Sequence, residues 1–421
     1  MRICAWVAVI MATLLTACGG SDSDDRGNIL SSARTAAFTR SDVDAAVAAA
    51  PGMAALIGSA SQCDVTLHKV TYQTIDPKGA TARASMGLLV PSHCNGPYPI
   101  VVYHHGTQLL KSFTMSDPAN LETFLVMAYF ASQGYAVVMP DYLGYGDTSL
   151  TYHPYLDAQS MGDTSADALR AGKRFLSDNA VPTSNKLFLT GYSQGGHSTM
   201  ATQRAIERDH AAEFSVTATA PMAGFYSLST TFADAIDVPT DFATILFAYG
   251  ITSLQKNYGD LYASPSEAFR SPWSATVESL IPGTVDLPQI LTTGQLPLAV
   301  VGTGALLTDA YAAAIKGDPN SPVRRRLAQN DMTGWTPRAP LTMCHGSRDT
   351  IVPVKNMLLA QVAFAGRGAR TTAVDIEAIP AFKTIIDGEL TAAGTLQVYH
   401  AQIAPPLCFS VTKNQVFDPL R

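Results

Sequence analysis

Lys186-Leu187-Phe188-Leu189-Thr190-Gly191-Tyr192-Ser193-Gln194-Gly195 is the stretch on which the reading of this 421-residue chain turns. An apolar run leads into Gly-x-Ser-x-Gly, and residues 196–209 follow with the length and periodicity of a helix. The pattern predicts a buried strand, a sharp turn and a helix in succession. Small residues two before and two after Ser193 let the backbone turn tightly. The serine hydroxyl then projects at the carboxyl end of the strand, beside a helix amino terminus. That is the setting of an activated serine nucleophile rather than of a glycine-rich helix entry.

Working outward, short apolar runs at 98–103, 135–139, 215–220 and 341–344 match the one at 186–190, as strands covered on both faces do. Helical stretches at 121–133, 164–179 and 196–209 separate most of them. The alternation predicts an α/β class with a mostly parallel central sheet flanked by helices. Residues 65–72 alternate and pair with 82–90 across Asp76-Pro77-Lys78-Gly79, which starts the sheet at its edge. Before them, an Ala-rich helix runs from an N-cap at Ser41 to Gly58, broken at Pro51-Gly52. More than a hundred residues separate the strand near Ala223 from the one near Leu341, too many for a plain connection. Short helices are predicted at 242–249, 265–270, 287–292 and 306–315, so 225–335 reads as a helical cap inserted between core parts 41–224 and 336–421. Gly302 and Gly304 would either let that cap move or close a packed helix hairpin.

A serine hydroxyl is a weak nucleophile until a histidine takes its proton, and the histidine needs a carboxylate to orient it. After the elbow come His197, His210, His345 and His400. Asp349 directly follows the 341–344 run, where a carboxylate emerges at the same sheet edge as Ser193, and beyond it the chain holds a single histidine, His400. Chain order thus selects Ser193, Asp349 and His400, with Asp375 and Asp387 as competing acids. The developing oxyanion needs preset amide donors. Gln194 supplies one, and His104-His105-Gly106-Thr107 the other, from Thr107 first and Gly106 second. His104 and His105 read as braces of that loop, and His197 as a residue of the helix after the elbow.

Composition bounds the alternatives. With 47% hydrophobic and 15% charged residues the chain folds rather than staying disordered. Its 28 Lys+Arg against 34 Asp+Glu give a net charge of -6, which argues against nucleic acid as a partner. No window is long and apolar enough for a spanning helix. The amino terminus, with Arg2, an apolar stretch at 3–15 and Leu15-Thr16-Ala17-Cys18, reads as a secretory signal over 1–17, followed by a polar tether over 18–40. The aspartates of that tether lack calcium-loop spacing and read as spacer. Of six cysteines, Cys4 leaves with the signal. Cys63, Cys94, Cys344 and Cys408 allow three pairings in an oxidising compartment, and chain proximity favours Cys63 with Cys94 and Cys344 with Cys408. No C-x-x-C spacing or paired His and carboxylate ligands point to a metal site.

The elbow, the His-Gly loop and Pro140-Asp141-Tyr142-Leu143-Gly144-Tyr145-Gly146-Asp147 together resemble the α/β-hydrolase fold, and the last segment is similar to its secretory lipase branch. Leu-x-Ala-Cys resembles the bacterial lipoprotein signal, with Cys18 acylated, and Gly19 after it resembles the outer-membrane sorting pattern. These resemblances imply an exported, lipid-anchored serine esterase or lipase that faces the periplasm or the cell surface. They imply hydrolysis of a small-molecule or lipid ester through an acyl-enzyme, with no cofactor and no metal, and membrane contact through the lipid on Cys18. In that branch the 141–146 loop borders the site, which makes Tyr142 and Tyr145 candidates for the substrate pocket, with core packing as the alternative for each; His105 of the His-Gly loop is a further candidate. The long stretch between Asp349 and His400 and the short tail after it depart from the family pattern. A peptidase or polyester depolymerase of the same fold is the nearest rival reading. A non-catalytic lipoprotein binding module is the rival of another class, against which the intact Ser193, Asp349 and His400 argue.

Overall fold

The computed structural model describes residues 25–240 and 242–421. The signal expected over 1–17 and the expected lipidation site Cys18 lie outside the described residues. Strand β1 (Ile29–Phe38), helices α1 (Arg40–Ala49) and α2 (Met53–Ile57), and the long hairpin β2 (Asp64–Ile75) and β3 (Thr81–Ser92) come first. Then β4 (Tyr98–His104), α3 (Leu121–Tyr129), β5 (Ala136–Pro140), α4 (Ala158–Asp178), β6 (Thr183–Tyr192), α5 (Gln194–Asp209) and β7 (Ala218–Met222) alternate. After a long helical segment the chain closes with β8 (Leu341–His345), a helix, β9 (Thr371–Asp375) and further helices.

The tether expected to reach residue 40 ends early. Residues 29–38 form the outermost strand, antiparallel to β2, and just before it Arg26 Nε lies 2.9 Å from the buried Asp167 carboxylate. The strand escapes sequence reading because its side chains are mostly exposed and carry little apolar alternation. Likewise α1 is capped by Thr39 rather than Ser41. The Thr39 hydroxyl accepts from the Asp42 amide while the Asp42 carboxylate accepts from the Thr39 amide, a reciprocal box that Ser41 cannot make from inside the helix.

One nine-stranded sheet runs β1-β2-β3-β5-β4-β6-β7-β8-β9, antiparallel through β5 and parallel from there to β9. This is the α/β-hydrolase fold that the resemblance implied, with the mostly parallel, helix-flanked sheet that the strand and helix alternation predicted. The central strands are buried on both faces, and their side chains divide with period two. Val101, Tyr103, Val137, Met139 and Phe188 join the core under α3, whereas Ile100, Val102, Val138, Leu187 and Leu189 join the core under α4 and α5. From β4 the chain crosses to β5 on one side, then returns past β4 to β6 on the other. The crevice beyond the carboxyl ends of β4 and β6 is therefore a topological switch point, where ligands of open α/β sheets bind.

Between β7 and β8 the described chain adds no strand to the sheet. It forms α6 (Leu228–Asp237), α7 (Ala243–Tyr258), α8 (Pro265–Ala268), α9 (Val277–Leu280), α10 (Leu287–Thr292), α11 (Asp309–Gly317) and α12 (Pro322–Gln329). These helices share a core of their own around Phe232, Phe247, Ile251, Phe269 and Ile315. The long interval between Asp349 and His400 is filled by α13 (Lys355–Ala365), β9 and α14 (Pro380–Ala393), and α15 (Ala404–Val411) follows His400. Disulfides join Cys63 to Cys94 and Cys344 to Cys408, the pairings that chain proximity favoured. Among the described residues no helix is long and apolar enough to cross a membrane.

Candidate active site

Ser193 sits between the end of β6 and the first residue of α5 with φ 60° and ψ −120°, a conformation that costs a non-glycine residue energy and is held by its surroundings. The flanking glycines make the turn possible. A Cβ on Gly195 would overlap the His104 carbonyl oxygen, and one on Gly191 would come within 2.6 Å of the Gly195 carbonyl oxygen.

Three distant stretches of chain meet here. His400 Nε2 lies 2.9 Å from Ser193 Oγ, and His400 Nδ1 lies 2.6 Å from Asp349 Oδ2. A carboxylate only accepts, so Nδ1 carries the proton and Nε2 is left to accept from the serine hydroxyl. All three side chains are buried. The other Asp349 oxygen accepts from the Ile351 and Val352 amides, both at 2.9 Å. Burial pushes the Asp349 carboxyl up, but His400 and His345 beside it outweigh that and hold it below the usual carboxylate range. His400 is the second residue of a π-helical turn, Tyr399–Ile403, and its carbonyl accepts from the Tyr192 hydroxyl of β6 at 2.8 Å. The Cys344–Cys408 bond ties β8, just ahead of Asp349, to α15, just after His400. The competing acids lie apart from this group: Asp375 accepts from the Glu377 amide, and Asp387 pairs with Arg348 and Lys383.

The loop after β4 runs beside the serine, close enough that a Cβ added to Gly106 would lie 3.7 Å from Ser193 Cβ. Its polar groups are largely committed. Tyr142 Oη donates to the His105 carbonyl at 3.1 Å, and Tyr145 Oη to the Gln108 carbonyl at 2.5 Å. His105 Nδ1 meets the Gly106 carbonyl at 2.7 Å and fixes the peptide whose other end is the Thr107 N–H. Thr107 Oγ1 is 2.8 Å from Tyr155 Oη. The Gly106 amide, second choice as oxyanion donor, is spent on Glu122 Oε1 at 3.0 Å and cannot serve. Among the described residues the amides of Thr107 and Gln194 donate to no protein acceptor.

Beside Ser193 and His400 opens a cavity of about 720 Å³. Leu125, Pro405 and Phe409 form one wall, and Phe225, Ile245 and Leu287 another. The three residues expected to line the pocket do not. Tyr142, Tyr145 and His105 are fully buried behind the loop, with the Tyr142 ring 4.1 Å from His105 and 5.5 Å from His153. An aromatic next to the site can face either the substrate or the loop that holds it, and here the hydroxyls are drawn to backbone carbonyls. As expected, His104 and His105 brace the loop and His197 lies on α5, where its Nε2 meets the Asn330 carbonyl. Sequence reading missed Glu122, Tyr155 and Tyr103. Glu122 had a signal, since it is the one carboxylate in the mostly apolar Leu121–Tyr129 helix. Among the described residues no three His, Cys, Asp or Glu side chains gather as metal ligands.

The family model for secretory lipases matches residues 110–380. The chain belongs to the secretory lipase family. As a family member it is a hydrolase of esters, of the esterase and lipase kind. Among solved structures, this secretory lipase is similar to the rice cell wall degrading esterase LipA from Xanthomonas oryzae, at 32% identity over 94% of this chain and 100% of that one, with a TM-score of 0.84. A putative hydrolase from Legionella pneumophila matches at 25% identity over 89% of this chain and 98% of that one, TM-score 0.74. Candida antarctica lipase A shares the fold at 17% identity, over 83% and 76% of the two chains, with a TM-score of 0.62. Comparison with curated proteins gives no match.

Proposed function

We propose that this secretory lipase is an exported serine carboxylic ester hydrolase that works through Ser193, His400 and Asp349. The observation that carries the reading is the unbroken chain from Ser193 Oγ through His400 to Asp349, at 2.9 and 2.6 Å. Ser193 Oγ bonds to the ester carbonyl carbon as its proton passes to His400 Nε2, and Asp349 stabilises the imidazolium. The amides of Thr107 and Gln194 donate to the oxyanion. As the tetrahedral species collapses, the C–O bond to the alcohol breaks and His400 returns the proton to the leaving oxygen. A water then repeats the sequence, deprotonated by His400, and releases the acid and free Ser193.

The apolar cavity walls favour an acyl or alcohol portion of some length. Residues 225–335 act as a cap over the site, between core parts 29–224 and 336–421. The two disulfides fit an oxidising compartment. Export and anchoring through a lipid on Cys18 rest on Leu15-Thr16-Ala17-Cys18, and a Cys18→Ser variant should leave the membrane fraction. Retention of that variant in the membrane would remove the anchor.

The test is hydrolysis of nitrophenyl esters from acetyl to palmitoyl by the mature protein and by Ser193→Ala. Loss of roughly 10⁴-fold or more in kcat is expected in the variant. Comparable turnover by both proteins would overturn the reading. Failure of both on every ester, with Ser193 still labelled by a fluorophosphonate, would favour an amide or polyester substrate instead.

A further inference from the structure

Glu122 is the second residue of α3, behind the Asn120 cap, and it lines the cavity beside Ser193 as a half-buried residue. Its Oε1 accepts from two donors at once, the Gly106 amide at 3.0 Å and the Tyr103 hydroxyl at 2.6 Å. Among the described residues it has no cationic partner. Burial raises its pKa to about 6, against the two hydrogen bonds, so the carboxyl sits where its charge is unfavourable. A group kept at such a cost needs an account, and neither the triad nor the cavity walls provide one.

The loop provides it. Glu122 fixes the peptide that carries the Gly106 N–H, and His105 fixes the next peptide, the one that carries the Thr107 N–H. With the Gly106 amide turned toward α3, the loop presents one donor near Ser193 from this side instead of two in competing directions. Tyr103, at the end of β4, holds the carboxyl in place from the sheet. We propose that Glu122 is a positioning residue, whose Oε1 anchors the Gly106 N–H and thereby sets the aim of the Thr107 N–H at the oxyanion. This rests on the serine esterase reading above.

The role predicts a graded result on one short nitrophenyl ester, measured with Ser193→Ala alongside. Glu122→Ala leaves the Gly106 amide without its acceptor, so kcat should fall about 10- to 100-fold with KM within about threefold, as a small misplacement of a catalytic donor does. Glu122→Gln keeps an acceptor oxygen in the same place and should recover kcat to within about threefold of the parent. Glu122→Asp keeps the charge but is one methylene short of the amide, and should resemble the alanine variant. It also serves if Glu122→Ala does not fold, which thermal unfolding of each variant reveals. A silent Ser193→Ala beside full-speed Glu122→Ala or Glu122→Asp would overturn the positioning role alone. So would losses in Glu122→Gln as large as those in Glu122→Asp. Turnover retained by Ser193→Ala would overturn the parent reading and this one with it.

Discussion

In the proposed mechanism Thr107 serves the oxyanion through its amide, and its side chain and its neighbours' polar groups are otherwise employed. The hydroxyl is engaged with Tyr155, the Gly106 carbonyl with His105, and the Gly106 amide with Glu122. Side-chain and backbone roles at this position are thus separable. Thr107→Ala keeps the amide and gives up the Tyr155 contact, so kcat should stay within about tenfold of the parent. Thr107→Pro removes the N–H, and kcat should fall about 100- to 1000-fold, the usual cost of one oxyanion donor. Steady-state kinetics on folded protein check this, and equal losses in the two variants would assign the donor elsewhere. At this scale the sequence was legible where chemistry restricts the residue type and chain order restricts its place, as for Ser193, Asp349 and His400, which the fold brings together. It was illegible where a side chain's direction decides. Nothing in Asp-Tyr-Leu-Gly-Tyr-Gly says that Tyr142 and Tyr145 face the loop carbonyls rather than the cavity. An acidic residue in a helix's first turn, as Glu122 is, ordinarily reads as a complement to the helix dipole.

Elements that bury both faces announce themselves, which is why β4 to β8 could be read from their apolar runs. The edges could not. The β1 strand is mostly exposed, and β9, Thr-Thr-Ala-Val-Asp, is short and half-buried, so neither carries the pattern of a covered strand. The consequence falls on the histidine. With β9 and α14 unseen, the interval before His400 looked like a departure from the family, whereas it is an added strand and helices that bring His400 back to β6. The Cys344–Cys408 bond closes this 64-residue excursion. Opening it frees the unfolded chain and loosens the link between the Asp349 loop and the His400 turn. The double variant Cys344→Ala, Cys408→Ala should therefore lose about 2 to 4 kcal/mol of stability. Its kcat should fall as well, because the Asp349 and His400 geometry is no longer fastened at both ends. Denaturant unfolding and turnover measured on the same preparation decide it: an unchanged midpoint with unchanged kcat would show that packing alone holds the histidine.

Across the whole molecule, the site is bedded on histidines kept neutral by burial. Burial lowers the pKa of His104 and His153 to about 3 and that of His105 and His197 to about 4, with hydrogen bonds to backbone carbonyls only partly opposing it. Carboxyls raised by burial go the other way: Glu122 and Asp141 to about 6, and Asp167 and Asp331 in the same direction. Below about pH 6.5 the unfolded chain protonates these four histidines while the native state refuses the protons, so acidification destabilises the fold. Glu122 and Asp141 bind protons in the native state near pH 6 and in the unfolded chain only near 4, so over that window they favour the native state on acidification. With His68 and His210 lowered as well, six histidines stand against four carboxyls, which leaves the unfolded state binding more protons near pH 5.5. Stability should therefore decline as pH falls from 7 to 5, well before the depressed Asp349 carboxyl is protonated. Thermal unfolding across that range checks it. A Tm that stayed level or rose toward pH 5 would mean that proton uptake by the buried carboxyls outweighs the protons that the buried histidines refuse.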